Sequence, residues 1–434
     1  MSSANPTLLN LRFADEPMAT LAYRADRNAF ALEFDGRFTA QNHDLSPLQL
    51  PLQQYGRGVH LFTPDSSPFA GGLPGLIADS LPDAWGEKLL RQQAPEIRTV
   101  MGKLAAVGSR GPGAITFEPA HEFGSGATVT NLADLAHAAD ALRNSPVPIG
   151  TGDIDRALAR GGSSLGGAYP KVAAHLPLTE GRVDKREIMI GGPTPTDHVP
   201  CILKFEREGD EADGAVEYAF SLMAHAAGLR TPRTCLVHDG RRRHFACARF
   251  DRHQRPDGSW GRRHVHTLAG LLHRRASDGT IDYEDFIRLT RNLCGAGEVP
   301  ECFRRAVFNL LSTNRDDHGR NHAFVYDLPT RRWTLSPAYD LNPNIANVLV
   351  GLSWLGSARI PESIEDLFRL AEIGGLSRRQ ARAIYDEVEE AVLAGWPRFA
   401  RQAGVPETMI TYWSREISAQ TAPLRASARA NPKR

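Results

Sequence analysis

Asp316, Asn321 and Asp340 are the side chains of this 434-residue sequence whose types and spacing could do chemistry together. The first two lie in STNRDDHGRNHAF (312–324) with four residues between them, and Asp340 closes the later stretch LSPAYD. A D-x-x-x-x-N spacing suits a loop that passes phosphate to a hydroxyl. The Asp would orient that hydroxyl and accept its proton, while the Asn amide oxygen would ligate Mg²⁺ beside the phosphates. Mg²⁺ keeps water and phosphate oxygens around it, so one Asn and one further carboxylate, Asp340, suffice. Taken alone, the same spacing fits a polar loop in which Asp and Asn only cap and turn the chain.

Chain order adds weight to the chemical reading. Upstream lie, in sequence, a Gly/Ser-rich turn GGSSLGG (161–167), a strand lysine (Lys204 in CILKF) and a helix glutamate (Glu217). A strand ending in ARF (248–250) follows, and then the Asp–Asn–Asp set. Protein-kinase-like folds need their parts in that order: a loop over phosphate, a Lys held by a Glu, a hinge for adenine, then metal-binding side chains. Each part has an ordinary alternative, since Gly/Ser stretches are often plain turns and strand lysines and helix glutamates are often solvated.

Elements must hold these residues. Residues 8–70 alternate in short apolar stretches broken by Gly, Pro, Asp and Asn, which predicts a β-rich start. The later part of LPGLIADSLPDAWGEKLLRQQ predicts a helix, 119–130 a loop, and NLADLAHAADALRN (131–144) another helix. GGAYPKVAAHL, REIMIGG and PCILKFERE predict strands, 215–229 a helix, and 231–252 a hairpin turning at Asp239-Gly240. Helices dominate after about 265, except for two short strands in 322–340. The expected fold class is α+β, two-lobed and protein-kinase-like, with a β-rich N-terminal subdomain and a mostly helical C-terminal lobe. Its expected divisions are 1–110, 111–252 (strands, phosphate loop, Lys and hinge) and 253–434 (helices, catalytic loop and metal site).

Composition sets outer limits. Lys plus Arg (51) and Asp plus Glu (50) nearly cancel, so no whole-surface attraction to nucleic acid is expected. The runs Arg241–Arg243 and Arg262–Arg263 read as solvated loops. Five scattered cysteines without C-x-x-C spacing support neither a zinc site nor a disulfide framework. The N-terminus does not read as a secretory signal, and no run reaches the roughly 20 apolar residues of a membrane helix. A cytoplasmic protein is expected.

The motifs SSLGGAYPK (163–171), ILKF (202–205), ARFDR (248–252), TNRDDHGRN (313–321) and LSPAYDL (335–341) resemble those of HipA-type serine/threonine kinase toxins of bacterial toxin–antitoxin modules. GGLPGLIADSLPDAWGEKLL (71–90) is similar to that family's N-terminal subdomain, so the resemblance spans nearly the whole chain. It implies ATP and Mg²⁺ as cofactors, Asp316 as catalytic base, and Asn321 and Asp340 as metal ligands. It further implies that His318, Arg320 and Tyr339 line the nucleotide site and that Lys204, oriented by Glu217, contacts the phosphates. Gly166, Gly167, Ala168, Tyr169, Pro170 and Lys171 would cover the phosphates; Ala248, Arg249 and Phe250 would form the adenine hinge. Ser164, or its neighbour Ser163, would be autophosphorylated and switch the kinase off. Two positions depart from the family pattern: Ala248 replaces the usual hinge Glu, and Tyr169-Pro170 replaces a usual Gln and its neighbour. The resemblance also implies a helix-turn-helix antitoxin (HipB-like) as partner and a translation component such as an aminoacyl-tRNA synthetase as substrate. DNA would be reached only through the antitoxin, and no membrane is involved. Two other functions stay open: a small-molecule phosphotransferase, and a non-catalytic co-repressor working with the antitoxin.

Overall fold

The computed structural model describes residues 4–65, 69–123, 126–144, 152–165, 167–179, 181–209, 212–275, 279–344, 351–357 and 360–430. They divide into two compact units. The first holds residues 1–214, 233–266 and 270–273, and the second holds 215–232, 267–269 and 274–434.

Among the described residues the first unit contains two large sheets and a two-stranded ribbon, Arg252–Gln254 with Trp260–Arg262. β1 (Leu8–Phe13), β2 (Glu16–Arg24), β3 (Ala29–Phe34), β4 (Val59–Phe62) and β5 (Ile115–Glu118) form an antiparallel sheet in the order β4-β3-β2-β1-β5. Alternation decides its inner face: Leu9, Leu11 and Phe13 are buried while their neighbours point out. Ala14 and Asp15 turn β1 into β2 with φ of 48° and 71°, a twist that suits a tight hairpin.

The second sheet has seven strands: β6 (Thr128–Asn131), β7 (Lys171–Leu176), β8 (Gly181–Asp184), β9 (Glu187–Ile190), β10 (Val199–Lys204), β11 (Thr234–His238) and β12 (Arg243–Ala248). Their order is β6-β9-β7-β10-β12-β11-β8, and among the described residues only the β11–β8 pairing is parallel. Helices Leu132–Asn144 and Asp153–Gly162 bury Leu135, Ala139 and Leu158 in one cluster with Val172, Leu203 and Ala246 of the sheet.

Three expectations change here. Residues 128–130 form an edge strand on β9 rather than loop, and Asn131 ends that strand rather than starting the helix, because Thr128, Val129, Thr130 and Asn131 pair there in register. Gly161 and Gly162 end a helix rather than form a turn. A Cβ on Gly162 would lie 2.6 Å from Leu89 Cδ1 and 2.8 Å from Lys171 O, so close packing, not flexibility, explains the glycine. Arg262 is not a solvated loop residue either: its guanidinium donates to the carbonyls of Gly111 (2.9 Å) and Gly113 (3.0 Å).

The second unit is mostly helical: Tyr283–Cys294, Val299–Leu311, Ile364–Gly374, Arg378–Ala403 and Glu407–Ala430, with helix Asp213–Ala226 entering it from residue 215. Asp282 caps the first of these by accepting from Glu284 N at 2.7 Å, and Tyr283, Phe286, Ile287 and Thr290 then fall on one buried face. The hairpin Ala323–Asp327/Arg332–Leu335 interrupts the helices where two short strands are expected. The fold is therefore α+β, with a β-rich N-terminal part and a mostly helical C-terminal part. Among the described residues no helix is long and apolar enough to cross a membrane.

Candidate active site

The loop 312–322 leaves helix Val299–Leu311 and enters the hairpin, so both ends are fixed. Thr313 stands at φ 62°, a rare conformation for a β-branched residue that costs on the order of 1–3 kcal/mol. Neighbouring bonds hold it there. Asn314 N donates to Asn309 O at 3.0 Å, and Asn344 N donates to Thr313 O at 2.9 Å. Asp316 is half-buried, between the buried residues Asn314 and Asp317.

The second unit joins Asp316 and Asn321 directly and ties the segment that carries Asp340 to their loop. Asn321 Nδ2 donates to Asp316 O at 2.7 Å, which fixes the direction of the opposite amide oxygen. Tyr339 Oη donates to Arg320 O at 2.6 Å, tying the segment that carries Asp340 to the same loop. Asp340 has φ 58°, which Asp tolerates better than most residues. His318 is half-buried. Asn321 and Asp340 offer hard oxygens, a donor set that fits Mg²⁺ completed by phosphate. Among the described residues no group of three His, Cys, Asp or Glu could hold a metal by itself. Glu217 also lies in this unit, buried on helix Asp213–Ala226.

The first unit holds the other expected residues. Lys171 and Lys204 are cross-strand partners on β7 and β10, and only 3% and 8% exposed. As directly opposed partners in an antiparallel pair, both side chains leave the same face of the sheet. Lys204 Nζ sits 5.9 Å from the centre of the Phe245 ring. Gly167, at φ 98°, faces Lys171 Nζ so closely that a Cβ would come within 2.1 Å of it. Ala168 is exposed, and Pro170 O accepts from Phe205 N at 3.0 Å. Tyr169 Oη donates to Asp213 Oδ2 at 2.6 Å, and Gly166 lies outside the described residues. Ser163 and Ser164 are 1% and 2% exposed, and Ser164 Oγ donates to Arg110 O at 3.2 Å.

At the expected hinge, Ala248 N donates to Arg233 O (2.8 Å) and Arg249 N to Pro200 O (2.9 Å); Phe250 follows, half-buried. The Arg249 side chain is spent elsewhere. It donates to both oxygens of buried Asp251 (2.9 and 2.7 Å) and to Gly111 O (3.0 Å). Arg252 joins the same carboxylate at 2.6 Å. Burial alone would raise the Asp251 pKa, but Arg249 and Arg252 outweigh it and hold the group well below the usual carboxylate range.

Sequence reasoning missed Asp317 and its partners. Asp317 is 6% exposed, accepts from Tyr283 Oη and lies 3.4 Å from Asn309 Nδ2. Burial pushes its carboxyl up to about 7. The available signal was the Asp316-Asp317 doublet, in which successive side chains diverge so that one acid turns inward.

A family model described as HipA N-terminal domain matches residues 9–118, and one described as HipA-like C-terminal domain matches residues 163–396. A curated protein of Sinorhizobium fredii (strain NBRC 101917 / NGR234) named "Putative kinase Y4mE" is 28% identical over 166 residues, 36% of this chain and 33% of that protein. The match thus spans about a third of that relative's length. Among solved structures, a chain of the Shewanella oneidensis MR-1 toxin–antitoxin complex of HipA, HipB and operator DNA is similar. The TM-score is 0.68 over 96% of this chain and 97% of that one, at 17% identity, a likeness of fold. Since one model covers the strands of the first sheet and the other more than half of the chain, from Ser163 through the Asp316 loop to Trp396, the chain belongs to the HipA family.

Proposed function

We propose that this protein is an ATP- and Mg²⁺-dependent serine/threonine kinase of HipA type, acting as the toxin of a toxin–antitoxin module. The observation that carries the reading is the hydrogen-bonded linkage of Asp316, Asn321 and the Asp340 segment within one unit. Asp316 would take the proton of the acceptor hydroxyl as its oxygen bonds the γ-phosphorus and the bond to the bridging oxygen breaks, releasing ADP. Asn321 and Asp340 would hold Mg²⁺, which neutralises phosphate charge when bound. Lys204 and Lys171 would bind phosphate oxygens, and Gly166 to Pro170 would cover them. Ala248, Arg249 and Phe250 would seat adenine, by main chain in the case of Arg249, whose guanidinium is bonded to Asp251 and Gly111. His318, Arg320 and Tyr339 would line the nucleotide. The divisions at 110/111 and 252/253 go with this assignment of parts.

By likeness to the HipA–HipB–DNA complex, a HipB-like helix-turn-helix antitoxin would be the partner, with DNA reached through it. A translation component such as an aminoacyl-tRNA synthetase would be the acceptor, in the cytoplasm. Self-phosphorylation would fall on Ser164, or on Ser163. Both serines are buried, so the segment must open before either is modified and self-labelling should be slow. Incubation with γ-labelled ATP tests the reading: label is expected on the chain and mapped to Ser163–Ser164. Asp316→Ala should remove it, a loss of at least about 10²-fold. Equal labelling or equal growth inhibition by Asp316→Ala would overturn the mechanism.

A further inference from the structure

We propose that Asp317 is the positioning residue of this site: its buried carboxyl and its carbonyl hold Asp316 and the segment that returns after Asp340. The proposal rests on the kinase reading for its functional meaning, while its structural content stands apart.

The two adjacent acids have opposite surroundings. Asp316 stays half-buried, whereas Asp317 turns into the core and joins a directed chain of hydrogen bonds. Asn314 Nδ2 donates to Asn309 Oδ1 (3.0 Å), Asn309 Nδ2 donates to Tyr283 Oη (3.0 Å), and Tyr283 Oη donates to Asp317 Oδ2. All four side chains are at most 6% exposed. Tyr283 and Asn309 belong to two different helices, so one carboxyl fastens the loop to both. Its main chain is fastened as well, because Asp317 O lies 3.1 Å from His322 Nε2. With Asn321 bonded to Asp316 O, the peptide planes that follow Asp316 are held from both sides.

The same carboxyl reaches the downstream segment. A Cβ on Gly351 would lie 1.8 Å from Asp317 Oδ1 and 2.9 Å from Arg315 O, so residue 351 packs its backbone directly on the carboxylate. Trp354 then places its ring 4.3 Å from that of Tyr283. A buried carboxyl is a costly way to fill a core, and an apolar residue of like size would serve packing better. Its retention next to a half-exposed acid is explained if it sets that acid's position, since a shift of about 1 Å in a reacting group can cost 10²-fold in rate.

The test uses the full-length chain with Asp317→Asn and Tyr283→Phe, and Asp316→Asn as the inactive control. Initial rates of self-labelling from γ-labelled ATP across ATP concentrations separate KM from the maximal rate. Hydrogen exchange is followed at residues 313–321 and 351–354. Asp317→Asn should slow the maximal rate roughly 10- to 100-fold with KM for ATP changed less than about threefold, and speed exchange at those segments alone. Tyr283→Phe should move both readouts in the same direction by less. Unchanged local exchange overturns the proposal. So does a rate loss that follows a fall in Tm with faster exchange throughout the second unit, because Asp317 would then be a stability residue only. A wild-type chain that never labels defeats self-phosphorylation, and the exchange result alone then decides whether Asp317 holds the loop.

Discussion

Lys204 is a sharp test at the scale of single residues. It is 8% exposed on a strand opposite Lys171, a placement that costs solvation for both ammonium groups. If phosphate binding is the reason for retaining them, Lys204→Met should leave the fold intact while labelling from ATP falls about 10²-fold or more. A variant that labels as well as wild type would remove Lys204 from the site. The Asp316–Asn321 pair was legible beforehand because its chemistry is written in contiguous sequence. Asp317 was not, because its partners Tyr283 and Asn309 lie 34 and 8 residues away on helices whose facing sides only the fold defines. Arg249 shows the converse. Its motif was visible, but the bond from its guanidinium to Gly111, 138 residues earlier, was not.

Between elements, that bond belongs to a knot that holds the Gly111–Gly113 turn to the chain following β12. Arg249, Arg252 and Arg262 converge on Gly111 O, and Asp251 accepts from Gly113 N at 2.9 Å as well as from Arg249 and Arg252. Three guanidiniums this close repel, and the single carboxylate makes their packing tolerable. Asp251→Ala should therefore destabilise the first unit by about 3–5 kcal/mol, because it leaves buried cations without their counter-charge. Urea unfolding checks this, and a midpoint within error of wild type would contradict the counter-charge role. The long helices and central strands were readable from apolar spacing. The edge strands β6 and β8 were not, since most of their residues face solvent and pairing alone defines them.

For the molecule as a whole, the two units carry different titrating groups. In the first, His266 bridges Asp79 (2.6 Å) and Ser46 (3.1 Å). The Ser–His–Asp order suggests a hydrolytic relay, but Ser46 and His266 are 1% and 0% exposed, so no substrate reaches them and the set works as a structural tie. His264 and His273 lie beside it. Burial pushes them down to about 3 and about 4, with His266 adding a smaller repulsion. His273 Nε2 accepts from Gly75 N at 2.8 Å, a bond that protonation of that nitrogen would abolish. An unfolded histidine takes up its proton near pH 6.5, and these two resist until about 3–4. Their contribution is thus complete above pH 6.5 and is lost as pH falls through that window. By pH 5 the loss should reach roughly 2 kcal/mol for His264, and less for the half-buried His273. In the second unit, buried His322 is depressed in the same sense, whereas Asp317, raised to about 7, contributes below its unfolded pKa of 3.8 and loses that contribution as pH rises through 7. Acidification therefore relieves one group there while it burdens another, and the first unit should be the more acid-sensitive of the two. Hydrogen exchange at pH 7.5 and pH 5 checks this: protection around residues 45–46, 75–79 and 264–266 should fall ahead of that in helix Arg378–Ala403. The double variant His264→Gln/His273→Gln should flatten the difference. Equal loss in both units, or an unchanged slope in the double variant, would show that these histidines do not set the acid limit.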